Sequence, residues 1–343
     1  MPIVADVHQH ITPPGFVQRI REDAGRHGLT LRTSAGADYT GKEGQESEEI
    51  VAFDGTVYKL LPPRTDLQLR LEQTSEAGID VSLQSVTPIM MLYSADQIQG
   101  QWISAAINDG MAESMASYPD RLISMATVPL QFPDMAADEI DRVVDQYDMR
   151  AVQVGTHVRD ENLDAAELDP FWKAAERHGL LVFVHPFHPA AKSRLSNYYL
   201  KNLIGNPLED SIAVASIIFG GVLERFPDLK LCFAHSGGYA PWIRGRWRHG
   251  MEVRPEARDR GAIRPFDEYF RALYFDTLIH DQAALQFLVD TVGSDHVLHG
   301  TDYPADMGDW HQLAWIEGLT GVSDEEKANI FGRNALRLVG RET

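Results

Sequence analysis

Short apolar runs alternate along this chain with longer stretches whose apolar residues recur every three to four positions. The runs are PIVADVH (2–8), DVSLQSV (80–86), LISMATV (122–128), RAVQVGT (150–156), LLVFVH (180–185), LKLCFAH (229–235), LYFDT (273–277) and HVLHGTD (296–302). Each has strand length and a β-branched or aromatic bias. Between them lie helical patterns, among them 66–78, 134–147 and 169–179. Ser323 and Glu326 form a capping box ahead of the last helical pattern, and Gly340 lies near its end.

Strands that are apolar almost throughout, each followed by a helix, predict a parallel sheet buried on both faces. The expected fold class is α/β, a closed (β/α)8 TIM barrel, with an open doubly wound sheet as the alternative. Two stretches break the alternation. Residues 15–63 are polar and Gly-rich and end in VAFDGTVYKLLPP, with Asp54-Gly55 as a hairpin turn. They read as a small β-hairpin insert after strand 1, within one barrel domain over residues 1–343. Residues 186–210 form a long connection after the fifth strand, where barrels carry functional loops.

The 343 residues suffice for a barrel of ~250 residues plus insertions. Charge narrows the partners. With 31 Lys+Arg against 50 Asp+Glu, the net charge of −19 disfavours nucleic acid and anionic membrane surfaces. The lone cysteine, Cys232, rules out an intramolecular disulfide and any Cys-rich zinc site. No run is long and apolar enough to span a bilayer, and the N-terminus lacks a basic region followed by an apolar one. A cytoplasmic protein is expected.

The candidate chemistry sits at the strand ends. His8 and His10 end the first strand two residues apart, so both imidazoles face one side. His185 ends the fifth strand, His235 the sixth and Asp302 the eighth. In a barrel these ends meet on one rim. Three histidines and a carboxylate suit Zn²⁺ or a similar divalent ion, Mn²⁺ and Co²⁺ included. His235 would then be free to act as a base on water. His157 and His188 are candidate pocket residues, Asp276 a candidate anchor for a ligand histidine, and His299 and Cys232 are expected to be packed.

The chain resembles the metal-dependent amidohydrolase superfamily, and within it the decarboxylase branch typified by 2-amino-3-carboxymuconate-6-semialdehyde decarboxylase. The resemblance runs through VAFDGTVYKLL, SYPDRLISMATVPLQ, AVQVGTHV, LLVFVHP, IFGGVLERFPDLKLCFAHSGG, GRWRHGMEVRP and HGTDYP. It implies one metal ion held by His8, His10, His185 and Asp302, with His235 as the acid/base. AVQVGTHV carries no bridging Lys or Glu for a second metal. Lys59 stands where the family decarboxylase has a carboxylate-binding arginine. Arg254 matches a second arginine that comes from a neighbouring subunit, so the resemblance implies a homodimer or higher homo-oligomer. Asn202 and Ala305 replace family aromatics.

The function these features imply is a metal-dependent carboxy-lyase. It would release CO2 from a small unsaturated carboxylate, a hydroxylated aromatic or heteroaromatic acid or a carboxymuconate semialdehyde. Its catalytic groups would be His235 and Asp302. Lys59, His157, His188, Asn202 and Arg254 would bind substrate. The alternative is a metal-dependent hydrolase or hydratase acting on a lactone, an amide or a conjugated acid.

Overall fold

The computed structural model describes residues 2–36, 45–190 and 192–341. The chain enters through β1 (Ala5–Ile11), then α1 (Pro14–Asp23), β2 (Leu29–Gly36), β3 (Gln45–Ala52), β4 (Val57–Lys59) and the short α2 (Pro62–Thr65). Next come α3 (Leu67–Glu76), β5 (Val81–Val86), α4 (Gln97–Ser117), β6 (Leu122–Ala126), α5 (Pro133–Tyr147) and β7 (Ala151–Gly155). After the small ribbon of β8 (His157–Val158) and β9 (Glu161–Asn162) follow α6 (Asp169–Arg177), β10 (Leu181–His185), α7 (Asn206–Phe219), α8 (Val222–Arg225) and β11 (Lys230–Phe233). The chain ends with α9 (Ala240–Val253), α10 (Phe266–Ala272), β12 (Tyr274–Asp276), α11 (Gln282–Val292), β13 (Val297–Leu298), α12 (Gln312–Glu317), α13 (Asp324–Ala328) and α14 (Asn334–Leu338).

Eight parallel strands pair in the order β1-β5-β6-β7-β10-β11-β12-β13. The ring closes on itself: Val7 N–H donates to His299 O at 2.9 Å and His10 N–H to Tyr303 O at 2.8 Å. This is the (β/α)8 barrel expected from the apolar runs; seven runs contain their strands, and the first strand runs past its predicted end at His8. The capping box is present, with Ser323 and Glu326 bonding reciprocally at the start of α13.

The insert departs from expectation. The hairpin at Asp54-Gly55 joins β3 to β4, but β2 adds a third antiparallel strand and α1 precedes it. Residues 37–44 of the predicted insert lie outside the described residues. Only Phe16, Val17, Ile20 and Asp23 of α1 are buried, too sparse a stripe in a polar stretch to mark a helix. Gly110 of α4 lets the two helices meet, since a Cβ there would come within 2.8 Å of Phe16 N.

Two apolar layers hold the barrel. The larger lies between strands and helices; the smaller fills the barrel floor with Ala5, Val7, Leu83, Phe183, Cys232 and Leu298, closed from below by α14. The register of β1 against β5 slips between Asp6 and Gln9. Here the interior passes from Ala5 and Val7, in the apolar floor, to His8, whose ring lies 5.0 Å from Phe183. β1 continues to Ile11, so His8 and His10 lie within the strand rather than at its very end.

Candidate metal centre and catalytic rim

Each predicted histidine ligand is aimed by a partner on its far side. His8 Nδ1 donates to Asp276 Oδ2 at 2.7 Å, and His185 Nδ1 donates to Pro186 O at 2.8 Å. His10 Nδ1 lies 3.2 Å from Ser85 Oγ. That hydroxyl gives its proton to Gln153 Oε1 at 2.6 Å, so its oxygen accepts from His10. All three rings are thereby fixed with hydrogen on Nδ1 and a lone pair on Nε2.

The three Nε2 atoms are buried and have no hydrogen-bond donor among the described residues. Burying a lone pair this way is costly unless something binds it. One ligand atom from each of His8, His10, His185 and Asp302 lies within 4.8 Å of the others. Asp302 Oδ1 is 3.1 Å from His10 Nε2 and 3.4 Å from His8 Nε2. The residues fit a divalent metal ion: three neutral imidazole lone pairs and one carboxylate, all converging.

Electrostatics agree with that donor set. Burial, with His8 and Arg64 nearby, pushes His10 down to about 4 despite Asp302. Burial and its histidine neighbours likewise push His185 well below the usual imidazole range.

His235 stands beside this cluster, its ring centroid 5.3 Å from that of His8 and 5.2 Å from that of His185. A tight turn after β11 presents it, with φ of 49° at His235 and 56° at Ser236. Non-glycine residues adopt such values at a cost. Asp276 holds the turn, accepting from His235 N–H at 3.1 Å and Ser236 N–H at 2.8 Å while also anchoring His8. His235 Nδ1 contacts Asp210 Oδ2 at 3.0 Å. Burial works against a charged His235, but Asp210 and the nearby carboxylates Asp276 and Asp302 outweigh it and raise the group.

The remaining candidates scatter. A cavity of about 750 Å³ is lined by His157 and His188 with Tyr93, Phe187 and Glu209, and neither the four converging donors nor His235 line it. His157 stacks on Phe187 at 4.8 Å, and its nitrogens face Arg159 O at 2.6 Å and Phe187 O at 3.1 Å. Lys59 ends β4 opposite the buried Glu49, whose carboxyl it helps hold down after Ser34 and Arg32. Asn202 sits half-buried in the turn before α7. Arg254 caps α9, exposed and paired with Glu256 at 2.7 Å. Fourteen helical residues, roughly 20 Å, separate it from the rim of its own barrel. His299 and Cys232 are packed, as expected.

Sequence reasoning missed Asp210, Ser85 and Arg64. Asp210 falls early in a helix, where an acidic residue usually serves the helix dipole and signals nothing more. Ser85 lies inside a strand, and only the pairing of β5 with β1 brings it to His10.

The amidohydrolase family model matches residues 5–341. This chain belongs to the amidohydrolase family. It falls in the branch of 2-amino-3-carboxymuconate-6-semialdehyde decarboxylase-like enzymes. It is 34% identical over 277 residues to the 2-amino-3-carboxymuconate-6-semialdehyde decarboxylase of Dictyostelium discoideum, covering 80% of this chain and 77% of that protein. The solved 5-carboxyvanillate decarboxylase of Sphingomonas paucimobilis is 26% identical with a TM-score of 0.75, over 82% of this chain and 85% of that one. The fold of a dihydroxybenzoic acid decarboxylase from Polaromonas sp. JS666, solved with bound manganese and 2-nitroresorcinol, superposes with a TM-score of 0.79. That protein is 20% identical, and the match spans 99% of this chain and 97% of that one.

Proposed function

We propose that this amidohydrolase is a metal-dependent carboxy-lyase that removes CO2 from a small unsaturated carboxylate. The observation that carries the reading is the convergence of three donor-less Nε2 atoms and Asp302 beside His235, an independently held acid/base. His8, His10, His185 and Asp302 are the ligands. Zinc is the ion this donor set favours, with manganese and cobalt as alternatives. When bound, the ion supplies Lewis-acid polarisation of substrate oxygens.

The chain's own residues do the rest. Decarboxylation breaks the bond from the substrate carbon to its carboxylate and leaves the electron pair on that carbon, which must take a proton. His235 presents Nε2 on the side of the ring away from Asp210 and moves a proton there. Its raised basicity suits an imidazolium donor at neutral pH, and a bound dication acts against that rise. Asp302 is proposed as a ligand and as a second candidate for carrying that proton. Lys59, His157, His188 and Asn202 are proposed substrate contacts. Arg254, remote from its own rim, is proposed to serve the site of a second copy in a homodimer.

The substrate class we favour is a hydroxylated aromatic or heteroaromatic acid, because Lys59, Asn202 and Ala305 replace the wall residues of the semialdehyde enzyme. The test is CO2 release from hydroxybenzoates, hydroxypyridine carboxylates and carboxymuconate semialdehydes, with metal content measured on the same sample. CO2 from a ring acid supports the reading. Turnover of the semialdehyde alone overturns the substrate class. Metal-replete protein that releases no CO2 but opens lactones overturns the reaction.

A further inference from the structure

The first turn of α7 turns two adjacent carboxylates inward. Glu209 accepts from Ala190 N–H at 2.7 Å and thus secures the segment after β10. Asp210 does something else. It is fully buried, Oδ2 lies 3.0 Å from His235 Nδ1, and Oδ1 has no hydrogen-bond partner among the described residues. No Lys or Arg among those residues pairs with it.

A carboxylate buried with one contact is an expensive way to fill space, and a neutral side chain of the same size would sit there at lower cost. What the carboxylate uniquely provides is a charged acceptor aimed at one ring nitrogen. Because an ionised carboxylate only accepts, Nδ1 must carry the hydrogen. Nε2 then points away from Asp210, where the His235 side chain keeps its 17% exposure. The backbone of His235 is already fixed by Asp276, so the rotations about Cα–Cβ and Cβ–Cγ are the freedom left to the ring. A half-turn would exchange Nδ1 for a carbon, and the Asp210 contact resists that exchange. The three ligand histidines have their own anchors in Asp276, Ser85 and Pro186, so Asp210 acts on the acid/base and not on the ligands.

We propose that Asp210 is a positioning residue that holds the His235 ring with hydrogen on Nδ1 and Nε2 presented to the substrate above the metal centre. The proposal rests on the decarboxylase reading for the reaction served, but the geometry can be tested without any substrate. The experiment uses the full zinc-loaded chain with ¹⁵N-labelled histidine. A downfield, slowly exchanging ring N–H resonance is assigned to His235 Nδ1 by its loss in His235→Ala. Asp210→Ala should remove that resonance and keep about one zinc per chain. It should lower kcat by about 100-fold and leave KM within about twofold, since general acid–base steps carry contributions of this size. Asp210→Asn keeps the shape and a weaker acceptor. It should move the resonance upfield and lower kcat less than Asp210→Ala does. A resonance that persists unshifted in both variants overturns the proposal. So does an unchanged kcat in Asp210→Ala, or loss of zinc from either folded variant. If no carboxylate proves to be a substrate, the decarboxylase reading fails alone, and the resonance and zinc content still decide the role of Asp210.

Discussion

Asp6 and Asp302 are both buried carboxylates of the barrel, and they are satisfied in opposite ways. Asp6 accepts from His8 N–H, Gln9 Nε2, Thr301 N–H and Thr301 Oγ1, at 2.6 to 3.1 Å. The same layer holds Arg70, buried, donating to His10 O and Gln9 Oε1 and lying over the Tyr303 ring. Asp302 has no such set. Its close contacts are imidazole nitrogens that carry lone pairs rather than hydrogens. The Asp6 carboxylate is fully engaged in hydrogen bonds that fix β1 against the last strand, although Arg70 Nε in the same layer has no partner among the described residues. The Asp302 layer is open, with its bonding capacity reserved for a cation.

The comparison predicts different failures on either side. Asp302→Ala should abolish activity and empty the metal site, yet leave the thermal midpoint of metal-free protein within about 3 °C, since little internal bonding is lost. A large drop in that midpoint would mean Asp302 is part of the scaffold. His235→Ala should retain metal and lower kcat by about 10²–10⁴-fold. If it emerges metal-free, His235 is a ligand and the roles above are misassigned. Asp6→Ala should cost about 3 kcal/mol or more in denaturant unfolding, because several buried donors lose their acceptor at once. A loss below about 1 kcal/mol would show that water fills the gap. Asp276→Asn spans both layers, and should weaken metal affinity about 10- to 100-fold by loosening His8. Competition with a chelator reads this directly. Arg254→Ala should raise KM for a carboxylate about tenfold with stability unchanged. An unchanged KM removes it from any copy's site.

The barrel was legible because its strands are buried on both faces and therefore read as bare apolar runs. The clustering of His8, His10, His185 and Asp302 was legible because barrel geometry sends strand ends to one rim. What stayed hidden depends on neighbours in space. Ser85 meets His10 through the pairing of β5 with β1, and Asp210 meets His235 across 25 residues of sequence. The insert was half-read. Its hairpin announced itself through Asp54-Gly55, whereas α1 and β2 carry polar sequences shaped by what they cover. Arg254 resembles a substrate-binding residue in sequence, yet in a single chain it lies at the far end of α9.

The ring of strands closes between the first and the last, and the donor set is drawn from the same two ends: His8 and His10 from one, Asp302 from the other. During synthesis His8 and His10 therefore appear together, and Asp302 follows only some 290 residues later. The strands between them pair in sequence order, so the first and last strands meet only once the intervening ring is in place. A metal ion bridging the two ends would fasten the barrel shut. Its uptake would then report that the barrel has closed, and a chain truncated before Asp302 would have neither the seam nor the full set of converging donors.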